Sequence, residues 1–340
     1  MTLNVGIIGG GGIAAHHLRG YQQAGATVVM VADVQESAAR SRAERLGCAW
    51  ATDYHTLLAR DDIQAVSICT PNARHFEAAK AAIEAGKAVL CEKPMTTSAA
   101  DAEALVRLVR ERKAFFQVAY MKRYHPVMRK FKELVPQIGK PVAGLVRCYQ
   151  PMPESNWARA QSWHFSKEGA GGGPLVHGGS HTLDLLHWVL GDVAAVSAHV
   201  VTRPGMEVDW VTTGVLEMAN GATLALEVGW LGHSNAGPRH DGWDEMIQIC
   251  GVDGILTLST TFWNRLELVP SVELYTETSR STQVFAEGPV DYFVEEIEDF
   301  VHRVETGLEP AITVEDGWWV DRLIEGIYQA SAEQKRLPLS

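Results

Sequence analysis

Short apolar, β-branched runs alternate with stretches of helical periodicity over the first third of the chain. The runs fall at residues 3–8, 27–32, 65–69, 88–91 and 115–119, and the helical stretches at 13–24, 37–46, 75–85 and 98–112. Strand and helix in strict alternation predict βαβ units on a parallel sheet. Val28 to Ala32 is apolar at every position, as a strand covered on both faces should be. Gly47 and Gly86 stand where helix C-caps belong. Past residue 122 the runs lengthen and alternate, at 141–149, 193–201, 209–218, 223–230, 244–250 and 254–260, with the hairpin signal Asn220-Gly221 between two of them. These predict a large, mostly antiparallel sheet carrying one or two helices. Two more helices close the chain at 292–306 and 313–332, the second opened by Thr313 with Asp316 three residues on. The expected fold class is α/β. A doubly wound parallel sheet occupies 1–122 and an α+β domain with a large mostly antiparallel sheet occupies 123–340, its terminal helices free to pack back on the first domain.

Length agrees, since 340 residues exceed what one ordinary core holds. With 30 Lys and Arg against 41 Asp and Glu, the net charge of -11 opposes nucleic acid and anionic lipid, and neither is expected as a partner. Cys48, Cys69, Cys91, Cys148 and Cys250 are odd in number and lack C-x-x-C spacing, so they read as reduced thiols. No apolar run nears the roughly 20 residues of a spanning helix, and the first residues carry no basic segment or cleavage pattern. A cytoplasmic enzyme without membrane attachment is expected.

Gly9-Gly10-Gly11-Gly12-Ile13-Ala14 satisfies G-x-G-x-x-A directly between the first strand and the first helix, the context a dinucleotide fingerprint requires. Gly9 permits the tight turn, Gly11 lets backbone approach a pyrophosphate, and Ala14 lets helix meet strand. Gly12 and Ile13 open the helix, whose free N–H groups and positive dipole end suit phosphates. Asp33 closes the second strand, where a carboxylate accepts from ribose hydroxyls and repels a 2′-phosphate, favouring NAD over NADP. Arg40 and Arg42 fall on the following helix rather than at the ribose.

Two further strand ends are polar, and ligands of open parallel sheets bind outside the carboxyl ends of the strands. Thr70, Pro71, Asn72 and His75 are therefore expected at the cofactor crevice, with Glu92 and Lys93 of the sequence Glu92-Lys93-Pro94. A lysine before proline is held away from helical geometry. Beside a cofactor it can exchange a proton or orient a substrate hydroxyl.

The glycine turn, Cys69-Thr70-Pro71-Asn72-x-x-His75, Glu92-Lys93-Pro94 and Arg123-Tyr124-His125-Pro126, in that order, resemble the Gfo/Idh/MocA oxidoreductase family. The likeness continues through Trp163-His164, Gly171-Gly172-Gly173 and Gly179-Ser180-His181-x-x-Asp184. It implies a Rossmann domain, NAD or NADP, and hydride transfer at a secondary alcohol or carbonyl of a sugar, cyclitol or related polyol. It also implies a homodimer or homotetramer formed through an exposed face of the C-terminal sheet. By the same resemblance Lys93 is the catalytic lysine, with Pro94 after a cis bond, and Arg123 lies near substrate and nicotinamide. His181 accepts the hydroxyl proton, oriented by Asp184 one helical turn on.

Two positions depart from the family pattern. His177 stands where many members carry the Asp of a Lys-Asp-His set, and a neutral imidazole lacks the fixed charge that keeps a nearby lysine protonated. It is assigned to hydrogen-bonding substrate. Trp163-His164 replaces a common Trp-Arg, and both residues are assigned to the substrate. His177, His181 and Asp184 would share one helix face, a spacing that can hold a metal with His164 or His240, but no metal is assigned. The polar, Gly-rich segment 232–243, with Trp157 and Arg159, offers aromatic faces and donors to a polyhydroxylated ligand. Two other readings stay open: a redox-neutral enzyme that cleaves glycosidic bonds and retains NAD, and a non-catalytic dinucleotide or sugar sensor.

Overall fold

A computed structural model describes residues 2–152, 163–231, 233, 237 and 242–339. In chain order it begins β1 (Asn4–Ile8), α1 (Ala14–Gln23), β2 (Thr27–Ala32), α2 (Glu36–Leu46), β3 (Ala49–Ala51), α3 (Tyr54–Leu58), β4 (Ala65–Ile68), α4 (His75–Glu84), β5 (Ala88–Cys91), α5 (Ala99–Arg112) and β6 (Phe116–Val118). There follow α6 (Pro126–Leu134), β7 (Pro141–Pro151), α7 (Lys167–Ala170), α8 (Ser180–Leu190), β8 (Val193–Thr202), β9 (Asp209–Met218) and β10 (Thr223–Leu231). The chain closes with β11 (Asp244–Gly251), β12 (Gly254–Thr260), β13 (Ser271–Thr276), β14 (Ser281–Ala286), α9 (Tyr292–Thr306), α10 (Val314–Glu333) and β15 (Leu337–Pro338). Two compact units result: Met1–Met121 with Tyr292–Asp321, and Lys122–Asp291 with Arg322–Ser340.

In the first unit six parallel strands lie in the order β3-β2-β1-β4-β5-β6. All of β4 and nearly all of β1 and β5 are buried, as strands covered on both faces are, with Ser67 the one polar side chain enclosed in β4. The order reverses direction between β1 and β4, the switch point outside whose strand carboxyl ends such sheets bind ligands. Tyr292–Asp321 returns to this unit because α9 is amphipathic. Its Ile297, Phe300 and Val301 enter the same core as Leu3, Val5 and Tyr21.

The second unit is a nine-stranded sheet in the order β14-β13-β12-β11-β7-β10-β9-β8-β15, antiparallel throughout except for the parallel pair β7 and β10. Alternate residues of β7, β10 and β11 point inward, among them Val146, Cys148, Leu226, Val228, Ile247 and Ile249. β3, α3, β13 and β14 have no counterpart in the sequence reading.

Candidate active site

Gly9 adopts φ +101°, and a Cβ there would lie 2.6 Å from the Cys69 carbonyl carbon. Only glycine lets the loop leaving β1 pass the loop leaving β4 this closely. The Gly10 amide donates to Asp33 Oδ2 at 2.8 Å and the Gln35 amide to Oδ1 at 2.8 Å, so the carboxylate closing β2 is held by two N–H groups. Arg42, on α2, reaches back to the turn: Nε donates to the Gly10 carbonyl at 3.1 Å and Nη2 to that of Gly11 at 3.0 Å. Arg40 instead pairs with Glu44 at the surface. Gly11 and Gly12 are exposed, and a Cβ on either meets nothing within 4 Å. No side chain caps the start of α1 at Ile13. Thr70 Oγ1, just past β4, is buried without a partner among the described residues. Open space over two glycines, uncapped helix amides, a strand-end carboxylate and an unbonded hydroxyl fit a bound dinucleotide.

Beyond β5 the Lys93–Pro94 bond is cis. The Glu92 side chain turns into the protein: Oε1 meets His17 Nε2 at 3.0 Å, and Oε2 accepts from the Lys93 amide at 3.1 Å. His17 Nδ1 lies 3.0 Å from Ser67 Oγ, which lies 2.6 Å from the Tyr21 hydroxyl. Burial alone would raise the Glu92 carboxyl. The His17 hydrogen bond, with the charges of His17 and Lys93, outweighs it and holds Glu92 below its ordinary value. His75 is likewise internal, Nδ1 facing the Pro94 carbonyl at 2.7 Å and Nε2 that of Thr70 at 2.9 Å. Burial depresses its pKa against those two carbonyls. Glu92 and His75, both expected to touch cofactor, thus grip the loops that carry Thr70, Pro71, Asn72 and Lys93. Lys93 itself is half-buried. Thr96 bonds Asp321 Oδ2 through its amide at 2.7 Å and its hydroxyl at 3.0 Å, which fixes the far end of the loop.

In the second unit His177 and His181 lie on one helical stretch, but not on a uniform α-helix. A π turn over Leu175–Gly179 precedes α8, so the i, i+4, i+7 arithmetic linking His177, His181 and Asp184 does not hold across it. Nor is Asp184 simply the partner of His181. Its Oδ2 and Oδ1 accept from Arg123 Nε at 2.9 Å and Nη2 at 2.6 Å, a buried two-pronged pair. Arg123, expected near the substrate, is thereby tied to α8. The π turn is held by Asp209, which accepts from the Gly173 and Leu175 amides at 2.5 and 3.1 Å and from the Tyr328 hydroxyl at 2.6 Å. Burial, then the Asp209 charge, pushes the Tyr328 hydroxyl well up, so it stays a donor.

Four rings cluster, each tilted against the next by 25–31°. Trp163 stacks on His164 at 3.8 Å between centroids, His164 lies 5.6 Å from His177, and His177 stacks on Trp230 at 5.6 Å. Of the residues assigned to substrate, Trp163, His164 and His177 are thus brought together with Trp230 as an addition, while Arg123 and Asp184 pair with each other. Trp157, Arg159 and His240 lie outside the described residues. Among the described residues no group of three or more His, Cys, Asp and Glu is placed to hold a metal ion. No helix among them is long and apolar enough to cross a membrane, and all five cysteines are free.

A second buried ion pair escaped the sequence reading. Lys122 Nζ contacts both oxygens of Glu245, which also accept from Thr182 Oγ1 at 2.8 Å and Trp243 Nε1 at 2.9 Å. The available signal was parity, because Glu245 shares the inward face of β11 with Ile247 and Ile249. His17 carried a similar signal, sharing the i, i+3, i+7 face of α1 with Ala14 and Tyr21. A polar residue on an apolar face requires a buried partner.

Residues 3–120 match the model described as "Oxidoreductase family, NAD-binding Rossmann fold", and residues 128–257 that described as "GFO/IDH/MocA C-terminal domain". The chain is 31% identical over 265 residues to inositol 2-dehydrogenase 2 of Saccharopolyspora erythraea, covering 73% of this chain and 71% of that protein. It is 28% identical over 329 residues to D-xylose 1-dehydrogenase (NADP(+)) 2 of Haloferax volcanii, covering 96% of each. A solved structure of levoglucosan dehydrogenase in complex with NADH and levoglucosan matches the fold with a TM-score of 0.86 at 24% identity, over 100% of both chains.

Proposed function

The chain belongs to the Gfo/Idh/MocA oxidoreductase family and carries its NAD-binding Rossmann domain, and we propose that it is an NAD-preferring dehydrogenase acting on a secondary alcohol of a sugar, cyclitol or related polyol. The observation that carries this reading is the cradle at the β1–β4 switch point, where Asp33 is held by the Gly10 amide beside two glycines that open onto free space. Asp33 favours a free ribose hydroxyl over a 2′-phosphate. Bound NAD supplies the hydride acceptor. Lys93 donates to the reacting hydroxyl oxygen and stabilises its developing negative charge, and His181 takes the hydroxyl proton. Trp163, His164 and His177, packed against one another, offer ring edges and N–H groups to a polyhydroxylated ring. The relatives act, by name, on inositol and D-xylose, which supports that substrate class. A homodimer or homotetramer is included in the proposal, formed through the outer face of the nine-stranded sheet, where Val215 and Ile255 are exposed.

The test uses purified protein, NAD, and a panel of inositols, aldoses and anhydrosugars. Wild type is expected to accumulate NADH in proportion to alcohol oxidised, whereas a redox-neutral glycoside-cleaving enzyme would not. Lys93→Ala should lower turnover by on the order of 10²- to 10⁴-fold while NAD binding, followed by calorimetry, is retained. Undiminished turnover in that variant would remove Lys93 from the mechanism.

A further inference from the structure

Two side chains anchor the first two turns of α8, the helix that carries His181. Thr182 Oγ1 donates to Glu245 at 2.8 Å, and Glu245 is itself fixed by Lys122 and by the Trp243 indole. Asp184 receives both prongs of Arg123. Every one of these side chains is buried, Thr182 completely. The two cations are consecutive residues, Lys122 and Arg123, at the point where the chain enters the second unit.

An α-helix turns about 100° per residue, so anchors at 182 and 184 stand about 200° apart around its axis. One anchor would leave the helix free to roll about its contact, whereas two on opposing sides fix its rotation. An external reference matters here because the preceding π turn winds more widely than an α-helix and does not pass on a regular phase. Apolar packing would hold the helix against the sheet at no greater cost, since buried ion pairs seldom beat well-packed hydrophobic residues in stability. Hydrogen bonds add direction, which apolar contacts lack.

We infer that Glu245 and Arg123 are positioning residues for the reaction: acting through Thr182 and Asp184, they set the rotation of α8 and with it the aim of the His181 imidazole. This rests on His181 being the base, as proposed above. Thr182→Val removes one hydrogen bond while keeping the side-chain volume, and Thr182→Ser restores the hydroxyl. Full-length proteins with ¹⁵N-labelled histidine, saturated with NAD, are followed by imidazole NMR, the His181 signal being identified by its loss in His181→Asn. Turnover is measured in parallel with myo-inositol, D-xylose and levoglucosan as trial substrates. Thr182→Val is expected to shift the His181 ring signals and to lower kcat by on the order of 10- to 100-fold, with KM and NAD affinity unchanged; Thr182→Ser returns both toward wild type. Arg123→Lys keeps the charge but loses the planar fork, and should likewise shift the His181 ring signals and lower kcat if Thr182→Val does not fold. Wild-type His181 signals and kcat in both variants, or no recovery with Ser, overturn the inference. Full turnover in His181→Asn instead overturns the base assignment, and the NMR arm still reports on the anchors.

Discussion

Gly9 and Gly11 stand two residues apart in one turn and answer to different constraints. At Gly9 the strain is internal, from φ +101° and the nearby Cys69 carbonyl. Gly9→Ala should therefore destabilise the protein without NAD by at least about 1–3 kcal/mol, read as a lower Tm. At Gly11 the space is open, so Gly11→Ala should leave that Tm unchanged and weaken NAD binding in a titration. Asp33→Asn keeps an acceptor for the Gly10 amide but removes the charge. It should move the NADP-to-NAD ratio of kcat/KM upward by about tenfold, near 1.4 kcal/mol; an unchanged ratio would take cofactor discrimination away from Asp33. The glycines and Asp33 were legible as a local motif. Arg42 was not, because nothing in a sequence says that a guanidinium 31 residues on bends back to the Gly11 carbonyl.

Elements followed the sequence wherever their signals were local. Asn220-Gly221 does turn β9 into the antiparallel β10, with Gly221 at φ +91°, and Gly47 caps α2 in the left-handed region. Thr313 and Asp316 exchange hydrogen bonds as a capping box. β3 has three residues and α3 five, too few for periodicity to register. The π turn before α8 was illegible for another reason: it is imposed by Asp209, some 35 residues away. Asp209→Ala would strand the Gly173 and Leu175 amides and the Tyr328 hydroxyl. The expected cost is about 3 kcal/mol, seen in denaturant unfolding, with Tyr328→Phe costing less. Equal stability of Asp209→Ala and wild type would mean that the turn is held otherwise.

Over the whole molecule, buried histidines tie stability to pH. Burial pushes His125, whose Nδ1 accepts from the Val127 amide at the start of α6, from 6.5 down to about 4. The folded protein therefore binds this proton later than the unfolded chain does. Its contribution is complete above about 6.5 and is lost as pH falls from there toward about 4. His75 acts in the same sense. His125→Asn preserves a capping acceptor and cannot titrate. Its Tm should fall less steeply than that of wild type across this window, and parallel curves would refute the linkage.

The chain by itself determined its α/β class, the parallel sense of the first sheet and the dinucleotide turn, while the family resemblance singled out Lys93 and His181 as chemical candidates. The class, the sheet's sense and the turn depend on neighbours in sequence: periodicity, a cap, a glycine at a forced angle. Tertiary structure alone decided that Glu92 and His75 face inward, that Asp184 binds Arg123, and that Lys122 and Glu245 meet. Those pairings join residues 19 to 123 positions apart. Which polar groups find each other across such distances depends on strand order and helix rotation, neither of which a local pattern encodes.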